Sequence, residues 1–111
     1  MKIKERTEGR VTVLDLKGPL ALGEGEEVFR QKIAQLLKEK KTSILLDFEK
    51  VEFIDSSGVG ALIKCLTSVT RVGGKLKALH PAPMVQKILK ITGVFGLFEF
   101  FDDEAEAIAS F

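Results

Sequence analysis

Apolar and polar positions switch between a two-residue and a 3.6-residue period along the chain. From Arg10 to Lys17 the residues alternate, with Thr12, Leu14 and Leu16 facing one way and Val11 and Val13 the other. Apolar residues on both faces predict a central strand covered on two sides. Lys2 to Glu5 reads as a short edge strand, paired as a hairpin around Thr7-Glu8-Gly9, and Gly18-Pro19 ends the second strand. Phe29, Ile33, Leu36 and Leu37 then share one helical face, predicting a helix over Glu24 to Lys40. Its glutamates come first and its lysines last, as the helix dipole favours. Ser43 to Phe48 reads as a buried strand, Ser57 to about Val72 as a helix stopped by Gly73-Gly74, and Lys75 to Leu79 as a strand. A third helix is expected over Met84 to Thr92, with Met84, Ile88 and Ile91 along one side. Leu97 to Phe101 reads as a short strand, and Asp102 to Ser110 as a last helix capped by Asp102 or Asp103.

Strands that alternate with helices imply an α/β domain. The opening hairpin is antiparallel and the later, helix-linked strands are parallel, so the sheet is mixed. The 111 residues contain no repeat or linker and suffice for one domain, 1–111.

Charge narrows the partners. Seventeen basic and 16 acidic residues leave a net charge of +1, without the basic excess of nucleic-acid binders. A single cysteine, Cys65, permits no internal disulfide and suits a reducing compartment. No apolar run approaches the ~18 residues of a membrane span. The N-terminus lacks the apolar core of a signal peptide. A cytoplasmic protein is expected.

The chemistry concentrates in Phe53-Ile54-Asp55-Ser56-Ser57-Gly58-Val59-Gly60, where a strand hands over to a helix. Asp55, Ser56 and Ser57 are all N-cap types, and one of them must cap the helix. Gly58 and Gly60 each cost about 0.5–1 kcal/mol relative to alanine in a helix interior. Two reasons compensate: close packing of the helix start, or open approach by another protein. A helix N-terminus presents free N–H groups and partial positive charge, so it tolerates a phosphate. Phosphorylation of a serine there adds roughly −1.5 to −2 charges and three acceptor oxygens. The helix accepts that group, whereas a partner packed over the same surface must desolvate it. The segment therefore reads as a phosphorylatable switch surface and not an active site. Val59 and Ile63 are candidates for partner or core contact, with Ile63 assigned to the core.

Enzymatic alternatives lack their parts. A nucleophile elbow needs a glycine two residues before the serine together with a histidine and an acid, and only His80 could serve as base. No P-loop is present, and Gly58-Val59-Gly60 lacks the third glycine of a dinucleotide fingerprint. Asp47 and Asp55 alone are thin support for a phosphoaspartate receiver. Cys65, on a face with Leu62, Leu66 and Val69, reads as a buried, inert thiol. His80 reads as a loop residue without metal-ligand partners, and Lys38 to Lys41 as a solvated helix end. Phe95, Phe98, Phe100 and Phe101 read mainly as core; an apolar patch beside the last helix would suit a weak homodimer.

Asp-Ser-Ser-Gly-Val-Gly, preceded by Val51-Glu52-Phe53-Ile54 and followed by an amphipathic helix, resembles the serine loop of STAS-domain anti-sigma factor antagonists. Leu89-Lys90-Ile91-Thr92-Gly93-Val94, followed by Phe98 and Phe100, is similar to the third helix and last strand of that domain. The resemblance covers nearly the whole chain. It implies a STAS-type domain, a mixed sheet of about five strands with helices mainly on one side. It also implies partner switching. The unmodified protein binds an anti-sigma factor that is also an ATP-dependent serine kinase, and this frees a sigma factor. Phosphorylation of the loop serine releases the pair, and a PP2C-type phosphatase reverses the modification. The serine before the first glycine maps onto Ser57, with Ser56 as the adjacent alternative. Partner contacts fall on Asp55, Ser56, Ser57, Gly58, Val59 and Gly60, and on Ala21 and Glu24. No cofactor, metal or catalytic residue is implied. Gly18-Pro19-Leu20-Ala21 departs from the family's Gly-x-Leu-Asp pattern, because Ala21 stands where an acid is usual; Glu24 or Glu26 could substitute. STAS domains also serve as regulatory or scaffold units of lipid and anion transport systems or stress-sensing complexes, and with Ala21 in place of the acid the alternative is that this chain is a non-phosphorylated relative.

Overall fold

The computed structural model describes residues 1–111. Two strands, β1 (Lys2–Glu8) and β2 (Val11–Lys17), form an antiparallel hairpin, with Glu8 opposite Val11. Its two-residue turn places Gly9 at φ 62°, a left-handed conformation that glycine adopts without steric cost. Then follow α1 (Glu24–Lys38), β3 (Ser43–Lys50), α2 (Ser56–Arg71), β4 (Lys75–Leu79) and α3 (Pro83–Ile91). A 3-10 turn (Phe95–Leu97), β5 (Phe100–Phe101) and α4 (Glu104–Ala109) complete the chain.

The sheet order is β1-β2-β3-β4-β5, so each strand lies beside its predecessor. The pairs from β2 onward are all parallel. Parallel crossovers are right-handed, and a sheet that grows in one direction by such steps places every crossover helix on the same face. Accordingly α1, α2 and α3 bury Phe29, Ile33, Leu36, Leu62, Val69, Val85 and Leu89 against Leu14, Leu16, Ile44, Leu46, Phe48, Leu76 and Ala78. Only α4, which follows the last strand, covers the other face, where Ala107 packs on Val11, Val13, Leu45 and Leu79. Arg6 holds α4 to the hairpin, donating to Asp15 at 2.7 Å and Glu104 at 2.6 Å. The buried Lys77 is satisfied at the same end: its Nζ donates to the Ser110 carbonyl at 2.8 Å and lies 4.9 Å from the Phe111 ring centroid.

Several expectations need correction. The first strand runs to Glu8, three residues past the expected end. On α3 the buried side is Val85 and Leu89; Met84 is 51% and Ile91 71% exposed, and Ile88 is half-buried. That nine-residue helix offers two overlapping apolar stripes, and the narrow end of the sheet covers only one. Of the segment expected as a strand over Leu97 to Phe101, only Phe100 and Phe101 are strand; Leu97 ends a 3-10 turn, and Phe98 and Glu99 are irregular. Phe98 belongs to the core; Phe95 and Phe100 stack on each other at 4.5 Å, and Phe100 lies 6.0 Å from Phe98. Phe101, Ile108 and Phe111 are partly buried around α4; the exposed large apolar residues of this end are Met84, Ile91 and Leu97. Cys65 is buried as expected, and burial pushes its thiol up to about 12.

Candidate functional site

Past Lys17 and Lys50 the parallel pair of β2 and β3 continues as two zipped loops. Gly18 N–H donates to the Lys50 carbonyl at 3.1 Å, and Leu20 N–H to the Phe53 carbonyl at 3.0 Å. A single parallel bridge joins Leu20 to Ile54, both fully buried. This zipper delivers Asp55 to the start of α2.

Asp55, rather than either serine, caps the helix. Its Oδ1 accepts the Gly58 N–H at 2.9 Å, and its Oδ2 accepts the Leu22 N–H at 3.0 Å from the facing loop. Those amides, Leu22 first and Gly58 second, hold the carboxyl below the ordinary aspartate range despite a small opposing desolvation. One side chain thus fixes the helix start and locks the two loops together.

Ser56 and Ser57 are therefore left without a capping task. Their amides have no backbone acceptor, because the first helical bond runs from Val59 N–H to the Asp55 carbonyl. Neither hydroxyl hydrogen-bonds within the chain, and Ser56 is exposed while Ser57 is half-buried. The only sealed, unpartnered side-chain polar atom in the protein is His80 Nδ1, so the Ser57 oxygen reaches solvent. No acidic residue stands in the first turn of α2.

The two glycines answer to the two different reasons. A Cβ on Gly58 would strike the Leu20 carbonyl oxygen and lie 2.8 Å from Ile54 Cγ1, so Gly58 is a packing residue. A Cβ on Gly60 would meet nothing within 4 Å; it leaves the surface beside the serines low and open. Val59 and Ile63 exchange their expected roles. Val59 is 6% exposed and sits in the core, whereas Ile63 is 37% exposed on the stripe that Ser56 and Gly60 begin.

Ala21 is half-buried between Leu20 and Leu22, both bonded to Asp55, so residue 21 lies beside the serine loop and brings no carboxylate to it. Glu24 pairs with the Met1 amino group at 2.9 Å, and Glu26 with Arg30 at 2.7 Å; neither bonds the serine loop. Two apolar residues not predicted as part of the site flank it. Leu22 is largely exposed next to the Asp55 bond, and Phe53 is about half exposed two residues before it. A signal was present at Leu22, an apolar residue set directly against Gly23 and Glu24.

A STAS-domain family model matches residues 2–107. The chain belongs to the STAS family. It is 24% identical over 98 residues to the anti-sigma F factor antagonist of Paenibacillus polymyxa, covering 88% of this chain and 84% of that one. Among solved structures it matches the Bacillus cell-fate determinant SpoIIAA in its phosphorylated form, with a TM-score of 0.75, 28% identity and 98% of each chain covered. The unphosphorylated form of the anti-sigma factor antagonist SpoIIAA matches with a TM-score of 0.74 at 25% identity, over 98% of this chain and 96% of that one. The STAS fold also occurs inside a murine anion transporter of the Solute Carrier 26 family, with a TM-score of 0.79 at 21% identity; that match covers 94% of this chain and 18% of the transporter. The five-strand mixed sheet with four helices is the STAS fold. No helix of this chain is long and apolar enough to cross a membrane.

Proposed function

We propose that this STAS domain is an anti-sigma factor antagonist whose partner binding is switched by phosphorylation of Ser57. The observation that carries the reading is the helix start itself. Ser57 offers a solvent-reaching, unbonded hydroxyl just past the Asp55 cap, in a first turn whose own side chains include no acid and whose Ser56 and Ser57 amides have no backbone acceptor. A phosphate there meets N–H groups and the positive end of the α2 dipole, so the domain tolerates it. The partner is an anti-sigma factor that also acts as the serine kinase, and a PP2C-type phosphatase restores the binding form. Leu22, Phe53 and Ile63 supply apolar contact around the low surface at Gly60. A partner seated there would have to bury the new charge, and it dissociates instead. This chain superposes equally well on both forms of SpoIIAA, so a phosphate in that relative is compatible with the same fold.

The transport reading rests on sequence and fold likeness to a part of larger transporters, about 20% and 18% of their lengths, and no feature of the serine loop favours it. Incubation with a cognate anti-sigma kinase and ATP tests the proposal. Mass spectrometry should place a single phosphate on Ser57 and none on Ser57→Ala. Equal labelling of the variant would remove Ser57 as the acceptor and point to Ser56.

A further inference from the structure

A second cluster of chemistry lies where β3 and β4 end, on residues outside the serine loop. Asp47 of β3 pairs across the sheet with Leu79, and His80 follows Leu79 directly. Glu49 is two residues beyond Asp47 and shares its strand face. The chain leaves β4 with His80 at φ 52°, a left-handed conformation uncommon for a residue with a side chain. Its N–H donates to the Phe101 carbonyl at 2.9 Å, which fixes that geometry. His80 is thus no isolated loop histidine.

The imidazole Nδ1 is sealed from solvent and forms no hydrogen bond. It stands 3.5 Å from Asp47 Oδ1 and 3.9 Å from Glu49 Oε2. One ligand atom from each of the three residues lies within 4.8 Å of the others. These separations are too long for hydrogen bonds of about 2.7–3.2 Å. The 3.5 Å separation is close to the edge of a tetrahedron around one ion, roughly 3.4 Å for ligand bonds of about 2.0–2.2 Å, and the exposed Glu49 side chain closes the longer 3.9 Å gap by a small rotation. Asp47 Oδ1 also accepts the Glu49 N–H at 3.0 Å, which orients the carboxylate and leaves lone pairs free. Neither carboxylate has a lysine or arginine within ion-pair distance; His80 is the only partner of both. Lys2, Lys4, Lys17 and Lys50 share the open cleft of about 430 Å³ that Asp47 and Glu49 line, but stand off from the carboxylates.

We propose that Asp47, Glu49 and His80 bind one divalent transition-metal ion of the zinc class. One imidazole nitrogen with two carboxylates favours Zn²⁺ or Co²⁺ over the all-oxygen preference of Ca²⁺ and Mg²⁺. Asp47 and Glu49 line the cleft, so water completes the coordination from their side. Such an ion joins the ends of β3 and β4 and neutralises two adjacent carboxylates.

Titration of the chelator-treated protein with ZnCl₂ by calorimetry tests this. The expected result is one saturable site, present in Cys65→Ala, lost in both Asp47→Asn and His80→Asn, and accompanied by a rise in thermal midpoint only where binding occurs. Asparagine tolerates the left-handed backbone at position 80, so that variant keeps the fold. In the wild-type protein, Zn²⁺ should also shift the His80 Nδ1 resonance in a ¹⁵N spectrum, a readout independent of any variant. Absence of saturable binding at millimolar Zn²⁺ would overturn the assignment. So would undiminished binding by both variants, or an unmoved His80 resonance, as expected if a protonated imidazole simply pairs with the two acids.

Discussion

Two helices of this domain start against the same pair of loops, and their starts can be compared residue by residue. In each, a glycine lets backbone meet backbone: Gly25 of α1 lies against the Pro19 carbonyl, and Gly58 of α2 against the Leu20 carbonyl. Their charge differs. The first turn of α1 holds Glu24, Glu26 and Glu27, and no side chain caps it. The first turn of α2 holds no acid and is capped by Asp55. Three carboxylates stand at the dipole of α1 against one, Asp55, at α2, and those of α1 are already engaged by the Met1 amino group, Arg30 and Gln31. At α2 a single aspartate satisfies one amide of the helix and one of the facing loop, and two serines follow with hydroxyls free. Packing demands are shared by the two starts, whereas room for a conditional charge exists at only one. The difference therefore concerns function and not folding.

The packing half of that comparison can be broken by methyl groups. Gly58→Ala should cost at least about 2–3 kcal/mol, because the obstructing atom is a backbone carbonyl that the Leu20–Ile54 bridge holds in place. Urea unfolding measures it. Near-wild-type stability would mean that the zipped loops shift freely and do not position Asp55. Gly25→Ala should behave alike at α1, against the Pro19 carbonyl.

The charge half is tested by Ser57→Asp. The domain should fold as stably as the wild type, or gain about 0.3–1 kcal/mol from a carboxylate near the dipole. Affinity for the anti-sigma partner should fall by about 5–150-fold, a coupling of roughly 1–3 kcal/mol. Unchanged affinity by calorimetry would remove charge as the switching agent.

Asp55→Ala should cost about 1 kcal/mol, within the usual range for a lost N-cap. The pH dependence follows from the depressed carboxyl. A group whose folded pKa lies below its unfolded value stabilises above the unfolded pKa, about 3.9 for aspartate. That contribution is lost as pH falls through the folded value. Wild-type stability should therefore fall more steeply than that of Asp55→Asn as pH drops below about 4. Parallel acid limbs would show that the Leu22 and Gly58 amides contribute nothing measurable.

Most of the architecture was readable because local periods and stop signals agreed with tertiary packing. The Val11/Val13 and Leu14/Leu16 faces of β2 do separate into the two cores, and Gly73 does end α2. The misread helix faces share one physical origin, a helix with more apolar residues than its environment can cover. Met84 and Ile91 keep the helical period but lie past the sheet's narrow end, and Ile63 falls one step off the buried stripe of Val59, Leu62 and Val69. The serine loop was legible as a motif, and the assignment of its cap was not. Asp55, Ser56 and Ser57 are chemically equivalent caps, and only the Leu22 amide from a distant loop decides among them. His80, Asp47 and Glu49 are brought together by strand register, which no local pattern records.

Gly60 sharpens the comparison with the smallest change. Its missing Cβ faces open space, so alanine there removes only the backbone-entropy penalty of glycine. Gly60→Ala should stabilise the isolated domain by up to about 0.5–1 kcal/mol. A residue kept for folding has no reason to forgo that gain. If Gly60 instead leaves space for a partner to reach Ser57, the same methyl group should weaken partner binding while raising the unfolding midpoint. The two readouts then move in opposite directions, which neither a destabilising nor an inert substitution can produce. A stabilised variant with full affinity would place the partner elsewhere and leave the open surface of α2 without a purpose.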